Sequence, residues 1–145
     1  MGKKRVIAKI EELKEGAGGV SKARDVKVSQ KFTAGCAYIQ ATYNNTIITI
    51  TDSKGNVVGW SSSGSLGFSG AKKATPFAAA RIAENVVEKV RKTGLQDVKV
   101  FVKGVGSGRD SAVRALSNHG LNIISIKDIT PLPHNGPRSK KPRRV

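Results

Sequence analysis

The run Lys103-Gly104-Val105-Gly106-Ser107-Gly108-Arg109-Asp110 has the residue types and the spacing to hold an anion. It follows an apolar run, Val98 to Val102, that reads as a buried strand, and leads into an amphipathic segment, Ser111 to His119, that reads as a helix. Glycines let a backbone approach a phosphate closely, while the N–H groups and positive dipole end of a helix start point at it. Lys103 and Arg109 bracket the loop with fixed positive charge. The chemistry on offer is phosphate binding, and the question is whose: a soluble nucleotide's, or a nucleic-acid backbone's.

Two enzymatic readings can be weighed against the same residues. A dinucleotide site is suggested because Gly104-x-Gly106 follows a strand and opens a helix, and Asp128 closes the next strand. The third fingerprint position fails, being Arg109 counted from Gly104 or Ser111 counted from Gly106. The chain has no second nucleotide-binding half, and no Gly-Lys-Ser/Thr for a Walker loop. A metal-dependent nuclease of ribonuclease H type has a similar element order, but needs carboxylates clustered at strand ends. The first strand, Ala37 to Tyr43, contains none, Asp52 sits at a turn, and Asp97 and Asp128 are isolated in sequence. His119, His134 and Cys36 make no zinc set. The expectation is no catalytic residue, no metal and no cofactor.

Charge points to the partner. The 145 residues fit one domain with tails and carry a formal net charge of +16. Residues 1–31 hold nine basic and four acidic side chains, residues 32–133 twelve and six, and residues 134–145 five and none. A globular body with polyanion-seeking arms is the expected organisation: an N-terminal extension over 1–34, an α/β RNA-binding domain over 35–130, and an extended basic tail over 131–145. No basic segment carries a large apolar face for a membrane surface, and no apolar run approaches spanning length. Glu11, Glu12 and Glu15 interrupt any signal-peptide core, and Val6 stands where myristoylation wants Ser or Thr. With one cysteine, the chain reads as soluble and cytoplasmic.

The elements that must position the loop are legible in order. Arg5 to Glu15 reads either as a short helix or as a solvated tail. Residues 35–61 read as a three-stranded antiparallel meander: Ala37–Tyr43, a two-residue turn at Asn44-Asn45, Thr46–Thr51, a turn at Asp52–Asn56 containing Lys54, then Val57–Trp60. Asn44 and Asn45 suit a turn; with Thr46 they also offer amides and a hydroxyl to RNA. Ser61 to Lys73 is a Ser/Gly loop in which Phe68 either stacks on a base or anchors the loop. Thr75-Pro76 caps a helix running to about Thr93, with Ala79, Ala83, Val86, Val87 and Val90 inward. Lys72 and Lys73 precede its positive end, a second phosphate site.

Asp97–Lys103 is dense enough in apolar residues to predict a central strand buried on both faces. Ser107 and Asp110 have capping-box spacing, Arg114 lies on the following helix, and Leu121–Lys127 is the last strand. The fold expected is α/β: a mixed five-stranded sheet, meander plus parallel strand–helix–strand unit, with two packed helices and extended basic termini. From Asp128 the chain is proline-punctuated, and His134, Asn135, Arg138, Lys140, Lys141, Arg143 and Arg144 form an arm suited to a phosphate backbone. Asn135-Gly136 is also an expected isoaspartate position, since an unhindered glycine amide can attack the asparagine side chain.

A family resemblance rests on four runs in unbroken order: Asn44-Asn45-Thr46, Thr75-Pro76-Phe77-Ala78-Ala79, Lys103-Gly104 to Gly108-Arg109, and Asp128-Ile129-Thr130-Pro131-Leu132-Pro133-His134-Asn135-Gly136 with the basic terminus. Over residues 35–145 the chain closely resembles small-subunit ribosomal protein eleven, in its bacterial-type form. The resemblance implies a structural protein of the small-subunit platform that binds 16S-type ribosomal RNA near the messenger-RNA exit, beside other platform proteins. It implies RNA-facing roles for 44–46, 61–73, 103–109 and 134–145. In the family, prolines often stand where this chain has Val105 and Ser107, so a less rigid loop is expected. Backbone and shape contacts should dominate, with Lys103 and Arg109 each contributing about one unit to the salt dependence. A generic nucleic-acid-condensing protein is the binding-class alternative.

Overall fold

A computed structural model describes residues 32–141 of the protein. The helix expected within Arg5–Glu15, the rest of residues 1–31, and Arg143 and Arg144 lie outside the described residues. The elements run β1 (Ala34–Ala41), β2 (Thr46–Asp52), β3 (Val57–Ser62), α1 (Pro76–Arg91), β4 (Asp97–Lys103), α2 (Gly108–Asn118) and β5 (Asn122–Asp128). The five strands form one mixed sheet in the order β3-β2-β1-β4-β5. The meander pairs are antiparallel, whereas β4 is parallel to both β1 and β5. The α/β architecture is the one read from the sequence.

Strand parity decides what is covered. Ala37, Ile39 and Ala41 of β1, Ile48 and Ile50 of β2, and Val98, Val100 and Val102 of β4 all point to one side, where they meet Ile82, Val86 and Val90 of α1 and Ala112 and Leu116 of α2. The β-branched residues of β2 and β4 favour the pleated half-buried surface that a helix layer can seal. Both helices of the described residues lie on that side, so among those residues β4 is covered on one face and not on two. Lys99 and Lys103 are exposed and Phe101 is half-buried on the opposite face. The apolar density of β4 comes from its inward residues plus one outward aromatic.

Local chemistry adjusts several boundaries. β1 stops at Ala41, so the connection to β2 is a four-residue loop, closed by the Thr42 amide donating to the Asn45 carbonyl at 2.9 Å. The Thr42 hydroxyl accepts the amides of Asn44 and Asn45 at 3.4 and 3.1 Å, which substitutes for a tight asparagine turn. Thr75 caps α1 as expected, its hydroxyl accepting the Ala78 amide at 3.3 Å above Pro76. The Ser107–Asp110 capping box does not form. Ser107 has helical dihedrals, and its hydroxyl donates to the Ala74 carbonyl at 2.9 Å.

The strand directions have one consequence for function. β1, β3, β4 and β5 all end at the same edge of the sheet, where β2 begins. That edge therefore collects the β1–β2 loop, the segment from Ser63 to Thr75, the glycine loop, both helix N-termini and the start of the C-terminal tail. Open α/β sheets place their ligands at this edge.

Candidate nucleic-acid interface

The β1–β2 loop is tied to its neighbours by side chains. The Ser63 hydroxyl donates to Asn45 Oδ1, and the Ser63 amide donates to the Thr46 carbonyl at 3.1 Å. Asn45 is thus turned inward, while Asn44 is exposed. Thr46, expected to face RNA, is withdrawn from the surface: its side chain is fully buried and its Oγ1 has no partner among the described residues. Parity explains this, because Thr46 shares the inward face with Ile48 and Ile50.

The glycine loop is packed differently from a phosphate cradle. The Gly104 amide donates to Thr130 Oγ1 at 3.1 Å and the Gly106 amide to the Ala41 carbonyl at 3.0 Å, so neither is available to an anion. Gly104 has φ +101, and a Cβ there would lie 2.1 Å from the Ala41 carbonyl oxygen. A Cβ on Gly106 would come 2.5 Å from the Thr42 carbonyl oxygen, and one on Gly108 2.8 Å from Thr46 Oγ1. These glycines let the loop lie directly on the end of β1. What remains for an anion is the helix start itself, since the Val105, Ser107 and Gly108 amides have no acceptor among the described residues. Asp110, exposed in the first turn of α2, opposes that potential.

Arg109 is a strut rather than a free cation. Its guanidinium donates to the Gly104 carbonyl at 2.6 Å and pairs with Asp128. The other oxygen of Asp128 accepts the Thr130 amide at 2.8 Å and hydroxyl at 2.6 Å. The latch thus joins the loop, the end of β5 and the first residues of the tail. The Thr130 hydroxyl, then its amide, then Arg109 lower the Asp128 pKa from 3.8 to about 2. Because the folded value is depressed, the latch's contribution is complete above the ordinary carboxylate range and fades as pH falls toward 2. A carbon-13 NMR titration of Asp128 should give a midpoint at about 2; one at 3.8 would show the latch open in solution. Arg109 is paired with Asp128 where the sequence reads it as a free cation, so its contribution to the salt dependence is expected to fall below a full unit.

Other expected residues divide by location. Lys72 and Lys73 fall in a 3-10 turn, Gly70–Ala74, immediately before α1, and make no ion pair among the described residues. Phe68 is half-buried, its ring edge-on to Phe77 at 6.2 Å, which is the anchoring geometry rather than a free stacking face. Phe77 is the outward aromatic, with the Arg81 guanidinium 5.7 Å above it. Lys103 is exposed where the bare sheet face meets the edge, and Arg114 is exposed on α2. His134, Asn135, Arg138, Lys140 and Lys141 are all exposed. Asn135 has φ +53, a left-handed conformation beside Gly136. Lys54 stands apart, in the β2–β3 turn at the opposite edge, which Asp52 closes by accepting the Lys54 and Asn56 amides at 2.8 and 2.9 Å.

The bracing roles of Thr42, Ser63 and Thr130 are not visible in the sequence alone. Only Thr130 left a usable trace, the Asp128-x-Thr130 spacing of a side-chain-closed turn. Among the described residues no group of His, Cys, Asp or Glu is placed to hold a metal, and no helix is long and apolar enough to cross a membrane.

The family model described as "Ribosomal protein S11" matches residues 35–144. Among curated proteins, the small ribosomal subunit protein uS11 of Treponema pallidum (strain Nichols) is 60% identical over 111 residues, 77% of this chain and 88% of the relative. That of Borreliella burgdorferi is 53% identical over 119 residues, 82% and 92% of the two chains. That of Solibacter usitatus is 53% identical over 127 residues, 88% and 94%.

Proposed function

The chain belongs to the ribosomal protein S11 family, a family of structural and non-enzymatic ribosomal proteins, and from that premise we propose how it binds. It is a constituent of the small ribosomal subunit that holds 16S-type ribosomal RNA at the platform, near the messenger-RNA exit and beside other platform proteins. It does so through one edge of its sheet. The supporting observation is the convergence there of Asn44, Lys72, Lys73, Lys103, two helix N-termini and the root of the cationic tail. Lys72, Lys73 and Lys103 make no ion pair among the described residues, and the rigid scaffold fixes their spacing. Contacts of this type go to phosphates and fix position rather than read sequence.

Salt dependence tests the edge. For binding to 16S-type ribosomal RNA, Lys72→Ala and Lys73→Ala should each lower the slope of log K against log salt by about one unit. Lys54→Ala, at the far edge, should leave it unchanged. Equal effects at all three positions would show diffuse attraction to any polyanion, and equal affinity for duplex DNA would favour the condensing alternative.

A further inference from the structure

The sheet face turned away from the helices is bare among the described residues, and its side chains align in rungs across the strands. One rung crosses all five: Trp60 of β3 lies beside Thr49, Thr49 beside Tyr38, Tyr38 beside Phe101, and Phe101 beside Lys127. At about 4.8 Å between strands it is about 19 Å long. Tyr38 and Phe101 stack, with ring centroids 5.1 Å apart and planes 15° from parallel. Trp60 is 55% exposed and Tyr38 39%. The adjoining rungs place Lys99 beside Cys36 and Lys103 beside Gln40, so Phe101 has a lysine on either side along β4 and Lys127 across from it.

No carboxylate stands on these three rungs. Asp97, at the start of β4, accepts from Asn122 Nδ2 at 2.8 Å. A protein neighbour covering the aromatics would have to supply carboxylates for three ammonium groups. Unpaired RNA supplies both halves at once, flat base faces for the rings and phosphates for the lysines. Duplex RNA presents no free base faces. We infer that this face is a platform for single-stranded ribosomal RNA, with bases stacking on Trp60 and the Tyr38–Phe101 pair and phosphates meeting Lys99, Lys103 and Lys127. The inference rests on the RNA-binding reading above but uses a second surface, which meets the edge at Lys103 and takes bases rather than backbone alone.

Trp60 is the only tryptophan of the chain, so its emission reports on this surface directly. An unstructured oligouridylate added to the full chain should quench it. In anisotropy measurements with the labelled oligonucleotide, Tyr38→Ala should weaken binding about ten-fold, while Tyr38→Phe and Trp60→Phe keep near-parental affinity. The conservative variants separate lost stacking from lost folding. If 16S-type ribosomal RNA binds in a Lys72- and Lys73-dependent manner but the oligouridylate neither quenches Trp60 nor responds to Tyr38→Ala, the platform is overturned and the edge stands. If neither RNA binds, the reading beneath both falls. Cross-links from the Trp60 face to a protein neighbour alone, in assembled subunits, would also overturn the platform.

Discussion

Gly104→Ala is expected to destabilise the fold by on the order of 3 kcal/mol, seen as a melting temperature lower by roughly 12 °C. Two costs combine. A side chain at φ +101 carries left-handed strain of about 1–2 kcal/mol. The new Cβ would also lie 2.1 Å from the Ala41 carbonyl oxygen, so the loop must lift off β1. Lifting it breaks the Gly106–Ala41 hydrogen bond and pulls on the latch at Arg109. Gly55→Ala isolates the first cost, because Gly55 has φ +93 with nothing within 4 Å of a Cβ. If the two variants melted within a few degrees of each other, the close approach of loop and strand would not hold in solution.

Truncation after Asn135 should have the largest effect on binding. It removes Arg138, Lys140, Lys141, Arg143 and Arg144. With about 0.7–0.9 counterions released per neutralised phosphate, the salt slope for 16S-type ribosomal RNA should fall by about four units. Folding should not change, because the part of this segment that is described is exposed and outside every helix and strand. A truncated chain that melts normally and keeps the parental slope would show that the tail does not touch RNA.

The sheet was legible because β2 is a run of β-branched residues, valines alternate through β4, and turn residues separate the strands. The bare face is written in β4, where Val98, Val100 and Val102 alternate with Lys99, Phe101 and Lys103. Other features were hidden for physical reasons. A glycine shows that a side chain is missing but not what occupies its place, so a packing joint and a phosphate loop look alike at Gly104 and Gly106. Arg109 reads as a free cation until the fold brings Asp128 to it. Thr46 reads as part of an exposed tip, whereas it is the first residue of β2 and the strand's parity turns its hydroxyl inward.

The latch also sets where the tail begins. The Ile129 amide donates to the Val102 carbonyl at 2.9 Å, and Thr130 is bound to Asp128 and Gly104. Residues 131–141, fully drawn out at about 3.3 Å each, sweep a radius of about 35 Å from that anchor. Under the proposed function, edge and tail then behave as one bivalent ligand on a short tether. Once the edge has landed, the tail searches its phosphates at millimolar effective concentration. Contacts too weak to hold RNA alone become sufficient, and cutting the anchor weakens them without removing a single cation.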